Sequence, residues 1–239
     1  MKFEIGTNDK FEIRYESHIT NIRESIRIAF LSDFHFSKKS QSIAEKMLDV
    51  LNDLNPHLIL LGGDYVDTKK GFQILKYFIS TLDDRFPIFA IAGNHDYFFG
   101  IKRVRSLLKS NKVSWIEKES VVVQLKNTNV QIDGNCSKIK KKGADIHINL
   151  LHNPNKITNK NYDITLAGHL HGSQIVLWKK GDMMYPGRLF YKWNLMKKEL
   201  DNGWAYISKG LGDTLPIRFN CKKDMIVIDI SDRNEDLKK

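Results

Sequence analysis

Five times in this chain an apolar run that reads as a β-strand stops at a cluster of His, Asp or Asn. Ile26–Leu31 ends at Ser32-Asp33-Phe34-His35. His57–Leu61 ends at Gly62-Gly63-Asp64. Ile88–Ala92 ends at Gly93-Asn94-His95-Asp96. Ile146–Leu151 ends at His152-Asn153-Pro154, and Ile164–Ala167 at Gly168-His169-Leu170-His171. In α/β sheets, ligands bind in the crevice beyond the carboxyl ends of the strands, so five such ends can converge on one site. The chain has 8 histidines. His35, His95, His152, His169 and His171 sit at these ends; His18, His57 and His147 do not. One histidine alone is ordinarily a surface or satisfied core residue. All of these together with Asp33, Asp64 and Asn94 argue for a single site.

The spacing gives a local reason. Asp33 and His35 are two apart, as are His169 and His171, and in extended backbone such pairs share a side. Asp64 and Asn94 follow glycines, which let the backbone turn sharply and approach closely. Carboxylate, carboxamide and imidazole donors suit divalent first-row cations such as Mn, Fe or Zn. Thiolates are absent from the set. The two cysteines, Cys136 and Cys221, lie far apart and form no CxxC pair, which argues against a disulfide framework or a thiolate zinc site.

The pattern between these ends predicts a mixed α/β domain. Helices are expected after Asp33–His35, with Ser42 as cap and Ile43, Met47, Leu48 and Leu51 at helical spacing, then over about 71–82 and 101–110. Strands are expected at Phe11–Ser17, Val121–Leu125, Val130–Ile132, Trp204–Ser208 and Met225–Ile230. The order is βαβαβα, then mostly strands. With 239 residues, 41% of them hydrophobic and 28% charged, one domain over 1–239 is expected, with a polar tail at Ser231–Lys239. No apolar run reaches the roughly 20 residues that span a bilayer, and residues 1–20 do not read as a signal peptide. The expected location is cytoplasmic, with peripheral contact at the inner face of the membrane as an option. The formal charge of +10 attracts phosphate-bearing partners, although Lys, Asn and Ile are frequent throughout.

Asp33-Phe34-His35, Gly63-Asp64-Tyr65-Val66-Asp67, Gly93-Asn94-His95-Asp96, His152 and Gly168-His169-Leu170-His171 resemble the five motifs of calcineurin-like metallophosphoesterases, in that family's order. The resemblance implies a four-layer αββα sandwich of two packed sheets flanked by helices. It implies two divalent metal ions, Mn2+ first and Fe or Zn next. Asp33, His35 and His171 would hold one; Asn94, His152 and His169 the other; Asp64 would bridge them. His95 would be the catalytic acid that meets the leaving oxygen, with Asp67 and Asp96 as orienting carboxylates, though Asp67 reads nearly as well as a helix N-terminal acid. The implied reaction is attack by a metal-bridging hydroxide on a phosphodiester or pyrophosphate bond.

The pattern of the protein Ser/Thr phosphatases is absent: Asp67-Thr68-Lys69 stands where they carry an arginine motif. Gly168–Gln174, His152-Asn153-Pro154, Ser208–Gly212 and Leu215–Arg218 instead look like the small bacterial YkuE-like group. Some relatives in this neighbourhood cleave the pyrophosphate of UDP-diacylglucosamine, so a phosphorylated small-molecule or lipid-linked substrate is expected. A nuclease or cyclic-nucleotide phosphodiesterase is the alternative, and a non-catalytic scaffold with this fold ranks below both. The aromatic stretch Val176–Met196 would be either core or an apolar wall for acyl chains or a base, and Arg188 either a phosphate contact or a solvated side chain. The basic run Lys138–Lys142 suggests an anionic membrane or nucleic acid, with a solvated hairpin turn favoured and nucleic acid not. No obligatory protein partner is evident.

Overall fold

Three of the five apolar runs are short, parallel and apolar on both faces, which suits strands covered on both sides. In the computed structural model, which describes residues 3–5, 9–22, 24–136, 143–158 and 161–232, these are β3 (Ile26–Leu31), β4 (Leu58–Leu61) and β5 (Ile88–Ala90). They pair in parallel, with Ile28 opposite Leu58 and Ile59 opposite Ile88. Alternate residues divide between two cores. Ala29, Leu31, Ile59, Leu61 and Ala90 face one way. Ile28, Phe30, Leu58, Leu60 and Phe89 face the other.

The first sheet has the order β2 (Phe11–Thr20), β16 (Lys223–Asp232), β3, β4, β5, β6 (Ser114–Trp115). The second has the order β13 (Lys197–Glu199), β14 (Trp204–Ile207), β10 (Ile164–Ala167), β9 (Ile146–Leu150), β8 (Thr128–Gly134), β7 (Ser120–Leu125). The sheets pack face to face. Ile28, Phe30 and Leu60 share one apolar cluster with Val130, Ile148, Ile164 and Leu166. Because both sheets are parallel around the site, β3, β4, β5, β9 and β10 all deliver their carboxyl ends to one edge of the sandwich. Two small antiparallel pairs complete the strands: β1 (Phe3–Ile5) with β15 (Ile217–Phe219), and β11 (Val176–Lys180) with β12 (Met183–Pro186).

Helices α1 (Gln41–Leu54), α2 (Lys69–Thr81) and α4 (Ile101–Ser110) cover the outer face of the first sheet. Each does so for the ordinary amphipathic reason. Met47 and Leu51, Leu75 and Phe78, and Val104 and Leu108 lie three or four apart and are buried in that cluster. The start of α1 differs from expectation. Ser40, not Ser42, is its boundary residue, and it makes no side-chain cap. The Ser42 hydroxyl instead donates to Asp9 at 3.1 Å. For α2 the cap is Thr68, whose oxygen accepts from the Gly71 N–H at 3.0 Å. Among the described residues, the second sheet's outer face carries no long helix. Ala167, Ala205 and Ile207 are covered there by Trp193, Leu195 and Leu200. The fold is the two-sheet, helix-flanked α/β arrangement expected, with its outermost layer on this side built from irregular chain. The basic run at 138–142 and the tail beyond Asp232 lie outside the described residues.

Candidate metal centre

The strand-end turns are tighter than the spacing argument assumed. Asp33, His35, Asp64, His169 and His171 all have positive φ, between 42° and 74°. Left-handed backbone costs a non-glycine residue about 1–2 kcal/mol, so five such residues in one place mark a site held together by its surroundings. Asp33 and His35 therefore converge by turning at each residue, not by lying along an extended strand. Two glycines permit the packing. A Cβ on Gly93 would stand 2.1 Å from Asp64 Oδ1, and one on Gly168 the same distance from Asp33 Oδ2.

The structure brings all seven expected ligands together, in two groups. Asp33, His35 and His171 form one: His35 Nε2 is 3.1 Å from His171 Nε2, which is 3.5 Å from Asp33 Oδ1. Asp64, His152 and His169 form the other: His152 Nε2 is 3.2 Å from His169 Nδ1 and 2.9 Å from Asn94 Oδ1. One oxygen belongs to both, since Asp64 Oδ2 lies 3.2 Å from His152 Nε2 and 3.7 Å from His35 Nε2. Imidazole nitrogens facing each other at this range need a proton or a cation between them. Two donors each about 2.1 Å from one cation lie about 3 Å apart, so the donor set fits divalent metal in chemistry and in spacing. Every one of these side chains except Asn94 and His169 is buried.

The second nitrogen of each inner imidazole is held by the protein. His35 Nδ1 is 3.0 Å from both Asp67 oxygens, and His152 Nδ1 is 2.9 Å from the Gly62 carbonyl. Such partners fix the tautomer that leaves Nε2 as the free donor atom. His95 lies on the open side with its Nδ1 3.0 Å from Asp67 Oδ1, so one carboxylate serves two histidines. His95 also offers a ring nitrogen to a third cluster with His35 and Asp64. Asp96 is placed differently from expectation. Among the described residues it bonds no imidazole; its buried carboxylate accepts the N–H groups of Asp64, Tyr65 and Gly93 at 2.8–2.9 Å and ties the β4 turn to the β5 turn.

Crowding sorts the protons. Burial raises the Asp33 carboxyl and lifts Asp96 to about 6. Burial works to lower His152, but Asp64 and Asp33 outweigh it and lift this residue to about 9. His169 is pushed down to about 4 by burial and then by His152. His171 falls well below its ordinary value through burial, His35 and Arg218. Burial opposes the ionised Asp67, yet the hydrogen bond and charge of His35 keep its carboxyl low. Neutral imidazoles and ionised carboxylates are the forms that bind metal.

Supporting residues were not assigned from the sequence. Arg218 is buried, donates to the Lys209 and Gly212 carbonyls at 2.9 and 2.7 Å, and comes within 3.5 Å of His171 Nδ1. Asp224 accepts from Ser208 Oγ and Lys209 N, which anchors the 208–212 turn beneath His171. Asn135 accepts from the His152 N–H at 3.0 Å. Arg218 and the 208–212 run fall inside a segment that resembles the YkuE-like group, but residue type alone assigned them no role.

Strand-end placement, shared-oxygen geometry and an N/O donor set define a metallophosphoesterase. The chain belongs to the calcineurin-like phosphoesterase family, whose family model matches residues 26–173, and it is a phosphoester hydrolase of that family, which uses divalent metals. Among its relatives, the uncharacterized metallophosphoesterase YkoQ of Bacillus subtilis is 30% identical over 80% of this chain and 78% of its own length. Phosphodiesterase YaeI of Escherichia coli is 25% identical over 85% of this chain and 82% of its own. The uncharacterized metallophosphoesterase YkuE of Bacillus subtilis is 25% identical over 88% and 81%.

Proposed function

We propose that this protein hydrolyses a phosphodiester or pyrophosphate bond with two divalent cations, Mn2+ first among them. Asp33, His35 and His171 hold one, Asn94, His152 and His169 hold the other, and Asp64 serves both. The observation that carries the reading is the single Asp64 oxygen within 3.7 Å of a donor nitrogen in each group. Such a pair of cations supplies Lewis acidity, which activates water at neutral pH and offsets charge on phosphate oxygens. The chain's own residues do the rest. Asp67 orients His35 and His95 together. With Nδ1 committed to Asp67, His95 has Nε2 left to donate a proton to the leaving oxygen. Its side chain is 34% exposed, which leaves it open to substrate. Asp96 holds the backbone on which Asp64 and Gly93 stand.

The substrate we favour is a nucleotide-linked lipid such as UDP-diacylglucosamine. Support comes from apolar side chains that stand exposed near His171, among them Leu215, next to Thr214, whose Oγ1 is 3.3 Å from His171 Nε2. Hydrolysis of bis-p-nitrophenyl phosphate with added Mn2+ tests the reaction class: turnover is expected, and none from protein with both metals bound would overturn it. A panel of UDP-diacylglucosamine, cyclic nucleotides and single-stranded DNA tests the substrate. Preference for either of the last two would replace the lipid reading.

A further inference from the structure

The aromatic stretch after the metal histidines divides sharply in the folded chain. Val176, Met184, Trp193 and Leu195 are buried. Leu177, Trp178, Leu189 and Phe190 are 57%, 51%, 68% and 78% exposed. Scattered exposed apolar residues are ordinary, whereas a cluster of large ones marks an interaction surface. These residues are clustered by the fold. Leu177 and Trp178 lie on β11, paired with β12, where Trp178 stacks on Tyr185 at 5.2 Å. β12 runs directly into the one-turn helix Gly187–Leu189, which leads into Phe190. Gly187 presses on Ser173, two residues from His171. Gln174 donates to the Leu215 and Ile217 carbonyls and so brings two more exposed apolar residues alongside.

Cations are interleaved with this surface. Lys179 and Lys180 continue β11, Arg188 precedes Leu189, and Lys192 follows Tyr191; all but Arg188 are exposed. Arg188 Nε is shielded from solvent and has no hydrogen-bond partner among the described residues. We propose that this face, residues 175–180 and 187–192, docks on an anionic phospholipid surface. Leu177, Trp178, Leu189 and Phe190 enter the headgroup and upper acyl region, and Arg188 with the lysines meets lipid phosphates.

Charge selects this occupant. The chain carries a net +10, so a second copy presenting the same cationic face would be repelled, while an anionic leaflet attracts each surface Lys or Arg. Tyr and Trp rings suit the boundary, having an apolar body and a polar tip. Apolar insertion plus basic attraction is the two-part signal that peripheral attachment requires. Attachment here would hold the metal edge of the sandwich against the membrane. It is a property of this surface and is independent of which bond the centre cleaves.

The test is co-sedimentation of the full chain with vesicles of phosphatidylcholine alone or mixed with phosphatidylglycerol. Partition into the mixed vesicles is expected to exceed that into phosphatidylcholine by about tenfold or more. The double variant Leu189→Ser, Phe190→Ser is expected to lose most of that binding, as is Arg188→Gln with Lys192→Gln. All four residues lie at the surface or half-buried, and thermal melts check that folding is kept. A distant pair on α4, Lys102→Gln with Lys109→Gln, should bind as the unaltered chain does. The proposal is overturned by no vesicle binding, by equal binding to both vesicle types, or by equal losses from the patch and α4 pairs. It is also overturned if the chain elutes as a dimer that Leu189→Ser, Phe190→Ser disperses, which would put a second copy on this face.

Discussion

Asp67 accepts from two imidazoles, one beside the metal groups and one facing solvent. Asp67→Asn removes the charge that sets both tautomers. Turnover of bis-p-nitrophenyl phosphate is expected to fall about 10–100-fold, the range for orienting partners of metal ligands, while metal analysis shows a reduced occupancy on the His35 side. His95→Ala should act differently. Both metals stay, and turnover falls about 10²–10⁴-fold, most for poor leaving groups, as removal of a general acid does. A metal lost from His95→Ala would instead make His95 a ligand, in keeping with the third cluster it can join. At this scale the residues that the fold gathers were legible because side chains able to hold a metal are few in kind and stood at strand ends. What the residue pattern did not reveal was the backbone. The positive φ at Asp33, His35 and Asp64 and the Asp64 and Tyr65 N–H groups gathered by Asp96 arise from tertiary contacts that no local pattern encodes, whereas its bond to the Gly93 N–H is a local cap of α3.

Helix α2 shows how an element can be set by one contact. Glycine in a helix usually costs about 0.5–1 kcal/mol against alanine, so Gly71→Ala would ordinarily stabilise. Here a Cβ would stand 1.7 Å from the Phe36 carbonyl oxygen. The expected sign is therefore reversed, with a loss of about 1–3 kcal/mol in chemical denaturation. Phe36 directly follows His35, so the substitution should also weaken metal retention. The parallel strands and helices α1, α2 and α4 were legible from apolar runs and helical spacing. Elements made of few residues were not. The helix α3 (Asn94–Phe99) begins on the expected ligand Asn94 itself, β11 and β12 form a hairpin around Gly181-Asp182 inside a stretch that reads only as aromatic, and β15 draws its pairing from β1, at the far end of the chain. The stretch 176–196 divides between core and surface: Val176, Met184, Trp193 and Leu195 are buried, whereas Leu177, Trp178, Leu189 and Phe190 are exposed, a division that no period in the sequence marks.

Over the whole molecule, a metal site that gathers five separate strand ends couples metal binding to folding. Any ligand that binds only the native state stabilises it by mass action, by about 2.7 kcal/mol at a hundred times its Kd. For a chain of this size that corresponds to a Tm rise of about 5–10 °C. Protein treated with chelator and then given Mn2+ should show this rise. Asp64→Ala, which removes the oxygen facing both groups, should lose most of the rise together with turnover. A full rise in that variant would place the metal elsewhere.

The first sheet has a further consequence through its strand order. β3, which carries Asp33 at its end, lies between β4 and β16. β16 follows every expected metal ligand in the sequence, and it also bears Asp224, which pins the turn beneath His171. A nascent chain that has already made every expected metal ligand still lacks the strip that zips the sheet shut. Metal loading should thus await the synthesis of β16, and a chain stalled before Lys223 would expose a raw β-edge to chaperones and proteases while remaining inert toward phosphoesters.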